Sequence, residues 1–187
     1  MIYPDWFSNN TNIFKKNLNV YSGIPNLKFL QIGAYTGDAS LWLLKNILTD
    51  NSSILIDVDT WQGSEEGIHK KFDWSDVEST YDKKVFGYKN IIKHKITSTE
   101  YLSNCLDRFD FIYIDGDHTA DGVYSDAILS FPLLKNKGIM AFDDYLWHHD
   151  TNNPNLEPKQ GIDKFIELAK DQVRVIHKDY QVWIEKI

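Results

Sequence analysis

Cysteine, arginine and long apolar runs are scarce in this sequence of 187 residues, and each shortage excludes a kind of protein. Cys105 is the single cysteine, so neither an internal disulfide nor a cysteine-based zinc site can form. Arginine occurs only at Arg108 and Arg174, and the formal net charge is −7. General nucleic-acid binding requires a basic surface. We therefore expect no nucleic-acid partner.

The apolar runs are too short for a membrane span, which needs roughly 18 residues. The amino terminus also lacks the basic and apolar stretches of a signal peptide. We therefore expect a soluble, cytoplasmic protein of a reducing compartment, with no membrane partner. The length and the 42% apolar content fit a single domain over residues 1–187. Residues 1–27 are predicted to form a helical cap, which either packs on the domain or also covers a ligand.

Two strand-like runs in the middle of the chain end in acidic clusters. Phe109–Ile114 leads into Asp115-Gly116-Asp117-His118, and Gly138–Phe142 leads into Asp143-Asp144-Tyr145. A helix predicted for Asp121–Leu134 connects the runs, so the two strands should be parallel. Both clusters then meet at the carboxyl edge of one sheet, where α/β proteins bind ligands. Carboxylates gathered there would repel one another, which indicates a divalent metal in an enzyme site.

A turn bracketed by glycines follows the first predicted strand. Lys28–Ile32 runs into Gly33-Ala34-Tyr35-Thr36-Gly37, and a helix from Asp38 to about Leu48 is predicted next. Gly33 permits a tight turn and close approach of a ligand to the backbone, and Gly37 lets the helix start pack closely. The spacing is neither the Gly-x-Gly-x-x-Gly of dinucleotide sites nor that of a phosphate loop. A nicotinamide dehydrogenase is therefore disfavoured.

Two further strand ends offer contacts to a nucleoside. The predicted strand 53–59 ends at Asp59, which is well placed to accept hydrogen bonds from ribose hydroxyls, with Asp57 as the alternative. A helix cap or a solvated turn is the competing role for these acids. After a strand predicted for Asn90–Ile96, Ser98 lies at the sheet edge. There it could bind an adenine, or it could simply cap the next helix with Glu100 nearby.

The remaining segments complete an α/β pattern. A helix is predicted around Asp76–Phe86, with Ser75 as its N-cap, after a polar loop. Loop 143–160 contains His148 and His149, which could border an acceptor pocket. A helix at 161–170 and a closing hairpin of strands 173–177 and 182–187 end the chain.

The order of these pieces resembles a class I S-adenosylmethionine-dependent methyltransferase over nearly the whole chain. Residues 31–37 resemble the first motif of that superfamily. The segments 58–61, 114–118 and 142–145 together resemble the methyltransferase domain 24 family, which is similar to metal-dependent catechol-type and macrocin-type O-methyltransferases. The resemblance implies a Rossmann-like, doubly wound α/β fold: a seven-stranded, mostly parallel sheet with a C-terminal antiparallel hairpin.

The resemblance also implies the site residues. The cofactor contacts would be Gln31, Gly33, Ala34, Tyr35, Gly37, Asp57, Asp59, Thr60, Ser98 and Asp115. The ligands of Mg²⁺ or another divalent cation would be Asp115, Asp143 and Asp144. The catechol type has a lysine as general base where this chain has His118, so His118 and Asp115 are the catalytic candidates. His118 acts as the base, or it only orients Asp115 or a water.

The expected reaction is methyl transfer from S-adenosylmethionine to a hydroxyl of a small-molecule acceptor, assisted by the metal. One alternative is a metal-independent methyltransferase with His118 as the sole base. Another is a non-catalytic cofactor-binding or interaction module, suggested by Gln31 at a position where the first motif usually has an acid. The sequence leaves open the acceptor and whether the protein forms a homo-oligomer.

Overall fold

A computed structural model describes residues 3–64, 67–148, 153 and 157–187. Within this part of the chain, seven strands form one sheet in the order β3-β2-β1-β4-β5-β7-β6. The strands are β1 (Lys28–Ile32), β2 (Ile54–Asp59), β3 (Ile91–Lys95), β4 (Phe109–Ile114), β5 (Leu134–Phe142), β6 (Val173–Lys178) and β7 (Val182–Lys186). The first five are parallel, and β7 is antiparallel to both β5 and β6. The predicted Rossmann-like fold with its closing hairpin is confirmed.

Helices connect the strands and cover both faces of the sheet. They are α1 (Thr11–Leu18), α2 (Asp38–Asn46), α3 (Trp74–Val85), α4 (Ser98–Asn104), α5 (Ala120–Ser130) and α6 (Pro158–Leu168). Short 3-10 turns at Ser8–Asn10 and Asn19–Tyr21 flank α1, so the predicted N-terminal cap consists of short helices. No helix in the described ranges has the length and apolarity needed to cross a membrane.

The last helix, α6, begins at Pro158, three residues before its predicted start, and two predicted N-cap residues also differ from the observed ones. Asp73, not Ser75, caps α3, because its carboxylate accepts hydrogen bonds from the backbone N–H groups of Ser75 (3.0 Å) and Asp76 (3.3 Å). Thr97, not Ser98, caps α4. Both capping residues have extended backbone angles, and the side-chain oxygen of each accepts from an N–H group in the first turn. A residue inside the helix has helical angles and cannot place its side chain in this way.

Apolar side chains fill both faces of the sheet. One face packs Leu30, Ile112 and Met140 against α5 and α6. The other packs aromatic residues, including Phe111 and Trp183, against α1 and α2. Parallel strands covered on both faces are near-continuously apolar, and each fully buried large side chain contributes roughly 1.5–3 kcal/mol. This core fixes the strand ends, so polar groups at the carboxyl edge are held by a rigid frame.

Candidate active site

The glycine turn between β1 and α2 is packed against the end of β4. Gly33 has a φ of 84°, and a Cβ added there would lie 1.8 Å from the backbone oxygen of Asp115. The close approach that was predicted for a ligand at Gly33 is thus made by the backbone of Asp115. Gly37, with a φ of 80°, is the N-cap residue of α2, and a Cβ there would lie 2.9 Å from the ring of Tyr81. The prediction that Gly37 lets the helix start pack closely is borne out by this contact.

Asp59 at the end of β2 holds the glycine turn through backbone hydrogen bonds. Its Oδ2 accepts from the N–H groups of Ala34 (2.7 Å) and Tyr35 (2.9 Å), and its Oδ1 accepts from that of Trp61 (2.7 Å). A carboxylate offers about four lone-pair positions, so three donors leave room for one more. Asp59 can therefore brace the turn and still accept from a ligand hydroxyl. Thr60, the next residue, accepts from the N–H of Gln62 at 3.3 Å.

Asp57 and Gln31 pair in register on β2 and β1 and face the interior below the turn. The Oδ2 of Asp57 accepts from the hydroxyls of Ser40 (2.6 Å) and Tyr81 (2.9 Å), while Gln31 Nε2 donates to the carbonyl of Gly33 (2.9 Å). Complete burial raises the pKa of Asp57 to about 7. Both side chains thus lie buried beneath the turn, whereas Asp59 contacts the N–H groups of the turn itself.

Aromatic side chains cover the turn from outside. Tyr35 has a φ of 46°, and its ring stacks on Trp6 with the centroids 4.6 Å apart. The indole N–H of Trp61 donates to the backbone oxygen of Tyr35 at 2.9 Å. Phe72 completes this side with its ring centroid 6.1 Å from that of Tyr35. The N-terminal segment therefore reaches over the glycine turn as well as packing on the sheet.

An acidic cluster with one imidazole lies at the ends of β4 and β5. Ligand atoms of Asp115, His118 and Asp144 all lie within 4.8 Å of one another. The Nε2 of His118 is 3.2 Å from Asp144 Oδ2 and 3.6 Å from Asp115 Oδ1. Burial, together with the negative charge of Asp144, raises the pKa of Asp115 to about 6. This arrangement is suited to a cation and would be stabilised by one.

Asp143, the other predicted metal ligand, lies outside this group of atoms. Tyr113 donates a short hydrogen bond to its Oδ2, Asn10 Nδ2 donates to the same oxygen at 3.2 Å, and the N–H of Asp144 donates to Oδ1 at 2.8 Å. Burial and the neighbouring carboxylates raise the pKa of Asp143 well above its usual range. Side chains along β5 alternate between the two faces of the sheet, and Asp143 continues this pattern toward the face covered by α1. Asp144 has a left-handed backbone with a φ of 56°, so its side chain leaves the pattern.

One neighbour of the acidic cluster, Tyr180, was missed by sequence reasoning. The hydroxyl of Tyr180, in the turn between β6 and β7, donates to Asp144 Oδ1 at 3.1 Å. Trp147 sets its ring edge-on to His118, with the centroids 5.5 Å apart. Antiparallel pairing brings Tyr180 to the site from a distant part of the sequence, so no local pattern signals it. His148 pairs with Glu157 at 3.3 Å, and His149 lies outside the described residues.

The strand order and the loops at the carboxyl edge define a methyltransferase fold of class I. Residues 30–145, more than half of the chain, match the family model described as a methyltransferase domain. The chain belongs to this methyltransferase domain 24 family.

Solved structures share this fold at low sequence identity. An O-methyltransferase from Bacillus cereus, in complex with S-adenosylhomocysteine (SAH), has a TM-score of 0.69 and 14% identity, covering 98% of this chain and 83% of that one. TomG from Streptomyces achromogenes, in complex with S-adenosylmethionine, has a TM-score of 0.69 and 12% identity, with 96% and 80% covered. A putative rRNA methylase from Clostridium thermocellum has a TM-score of 0.70 and 13% identity over both entire chains. No curated protein matches the sequence.

Proposed function

We propose that this methyltransferase uses S-adenosylmethionine to methylate a hydroxyl of a small-molecule acceptor, with a divalent cation at the acidic cluster. The observation that carries the proposal is the packing of Gly33 on the backbone of Asp115. It brings the glycine turn, on the donor side, directly beside the cluster of Asp115, His118 and Asp144. The choice of donor is supported by the S-adenosylmethionine bound to TomG and by the SAH bound to the Bacillus cereus protein, since SAH is what this donor becomes after methyl transfer. The net charge of −7 favours a small acceptor over a nucleic acid.

The donor set of the cluster fits a divalent cation. Carboxylate oxygens are the ligands that Mg²⁺ and Mn²⁺ prefer, and an imidazole suits later transition metals such as iron, nickel and zinc. Asp115 and Asp144 would hold the ion, whereas Asp143 would first have to give up its bonds to Tyr113 and Asn10. When bound, the cation would supply positive charge that makes an acceptor hydroxyl more acidic.

His118 is the group best placed to remove the hydroxyl proton. Its Nε2 would take the proton, and Asp144 Oδ2 at 3.2 Å would stabilise the resulting imidazolium. The acceptor oxygen would then form a bond to the methyl carbon while the carbon–sulfur bond breaks, which leaves the thioether. The same Nε2 could instead be a third metal ligand, but a nitrogen whose lone pair is coordinated cannot accept a proton.

The metal-independent alternative uses the same residues. In it, the two carboxylates would only orient His118 and stabilise the imidazolium that forms when it takes the proton. The 3.2 Å contact between His118 and Asp144 is compatible with this role. Turnover in the presence of a chelator separates the alternatives, because only the metal-independent enzyme keeps its rate.

Binding of SAH, measured by calorimetry with and without Mg²⁺ or Mn²⁺, tests the proposal. We expect binding in the micromolar range, and its absence under every condition would contradict the donor assignment. Asp144→Asn should weaken Mn²⁺ binding and lower metal-dependent turnover on hydroxyl acceptors by about 100-fold, since a ligand and the partner of the base are both changed.

Asp117→Asn is the matched control for this substitution. Asp117 lies in the same loop, but its carboxylate accepts from the backbone N–H of Thr119 at 2.9 Å. Its substitution should leave Mn²⁺ affinity within about twofold of the wild type. Equal losses in the two variants would argue against a specific role for Asp144.

A further inference from the structure

We propose that Asp126, a buried carboxylate on α5, accepts a hydrogen bond from the 6-amino group of the donor's adenine and selects that base. The inference rests on the proposed function, because it assumes an adenosine-containing donor. It adds a specificity-determining residue from α5, which covers the other face of the sheet from α2, the helix after the glycine turn. Neither the sequence motifs nor the acidic cluster involves this residue.

Asp126 is a buried acid whose surroundings contain little to neutralise it. Asp126 is only 3% exposed, and burial raises the pKa of its carboxyl group to about 6. Ser98 hydrogen-bonds to it and lowers that pKa, while the negative charge of Asp117 raises it. A buried carboxylate normally has several donors, and among the described residues Ser98 is the donor that acts on its pKa, so acceptor positions remain for a ligand. A ligand that brings N–H groups would supply what is missing.

The carboxylate lies at the carboxyl edge of the sheet. Its Oδ2 is 3.7 Å from the position that a Cβ on Gly116 would occupy, and Gly116 directly follows Asp115. Ser98, its hydrogen-bonding partner, is the first residue of α4, directly after β3. Asp126 therefore faces the space between the loop after β4 and the start of α4.

This space is where the base of a bound nucleoside would extend. Doubly wound folds bind the ribose at the acid that ends the second strand, which is Asp59 here. In this sheet β3 is the neighbour of β2. A base attached to that ribose passes the end of β3 and meets Ser98 and Asp126. The 6-amino group of adenine carries two N–H donors and no charge, so a carboxylate can accept from it, whereas a 6-oxo group would be repelled.

The test measures base selectivity with the full-length chain. Calorimetry with SAH is compared with two analogues, one lacking the 6-amino group and one in which a 6-oxo group replaces it. We expect the wild type to bind SAH about tenfold more tightly than either analogue, as for one hydrogen bond to a charged group. Asp126→Asn should reduce the preference over the 6-oxo analogue to about twofold or less, because an amide can donate to that oxygen. Asp117→Asn should keep the wild-type ratio.

The outcomes separate the inference from the proposed function. No binding of SAH by the wild type would overturn the proposed function. Tight binding of SAH with equal affinity for the analogue lacking the amino group would overturn only the role of Asp126. That comparison needs no variant, so it holds even if Asp126→Asn does not fold. A purely structural Asp126, tying α4 to α5 through Ser98, would change stability but leave the ratio between ligands unchanged.

Discussion

The carboxylates on the two sides of the candidate site have opposite electrostatic surroundings. We call the glycine turn the donor side and the cluster of Asp115, His118 and Asp144 the acceptor side, after their proposed roles. On the donor side, Asp59 is surrounded by backbone N–H groups of Ala34, Tyr35 and Trp61. On the acceptor side, Asp115 and Asp144 face each other and the imidazole of His118. A carboxylate that accepts from N–H donors is stabilised as an anion, whereas crowded carboxylates are destabilised until a cation arrives.

The glycine turn and the acidic cluster therefore differ in whether the protein itself compensates the charge of its carboxylates. The donor turn is held in its conformation by the protein's own hydrogen bonds. The cluster of Asp115, His118 and Asp144 concentrates negative charge, and Asp144 also has an unfavourable left-handed backbone. Strain and like charge of this kind accumulate at functional sites, where binding offsets their cost.

The largest expected effect comes from breaking the contact between the two sides. Gly33→Ala would place a methyl group 1.8 Å from the backbone oxygen of Asp115, at a φ of 84°. We expect the free energy of unfolding to fall by about 3 kcal/mol or more, because a clash adds to backbone strain. Urea unfolding measures this.

Gly87→Ala provides the matched control for Gly33→Ala. Gly87 has a φ of 90°, but a Cβ there would meet nothing within 4 Å. It should cost only about 1 kcal/mol, the strain alone. Similar losses in the two variants would mean that the donor turn and β4 are not tightly packed.

A pair of conservative substitutions should sharpen the contrast between the sides. Asp59→Asn should destabilise the metal-free protein at pH 7.5 by about 1–2 kcal/mol, because an amide nitrogen would face a backbone N–H. Asp115→Asn should instead stabilise it by about 1 kcal/mol, since it removes a crowded charge. Chemical unfolding in the presence of a chelator compares the two variants.

The pH dependence of these variants provides an independent check. The folded-state pKa of Asp115 is raised to about 6, above the unfolded value of about 3.9. The unfolded chain therefore loses this proton first as the pH rises, and stability falls between about pH 4 and 6. The gain from Asp115→Asn should shrink toward pH 4. A gain that is constant with pH would contradict the charge explanation.

The smallest expected effect concerns Tyr180, which orients a carboxylate of the acceptor side. Tyr180→Phe removes the hydrogen bond to Asp144 Oδ1 and should weaken Mn²⁺ binding by about three- to tenfold. Titration of Mn²⁺ followed by electron paramagnetic resonance measures the affinity. Tyr124→Phe, on α5 with its ring under Lys164, serves as control and should bind Mn²⁺ as the wild type does. Unchanged affinity in Tyr180→Phe would place Asp144 outside the metal site.

Local sequence patterns were sufficient to predict most of the fold. Apolar runs gave β4 with its observed bounds, and the glycine turn gave the start of α2. The handedness of the strand–helix–strand unit then required both acidic clusters to share one edge of the sheet. Helix starts were less accurate, because Asp73 and Ser75 both have capping side chains and only the backbone angles distinguish them.

What the sequence determined by itself was the α/β fold, the glycine turn and the gathering of acids at one edge, since each follows from short-range periodicity and chain connectivity. Only the tertiary structure decided which side chains converge. The alternation of β5 directs Asp143 to Tyr113 and Asn10, and the left-handed backbone of Asp144 directs its carboxylate to His118. Tyr180 and Asp126 reach their positions through strand and helix packing between distant segments, which no local pattern encodes.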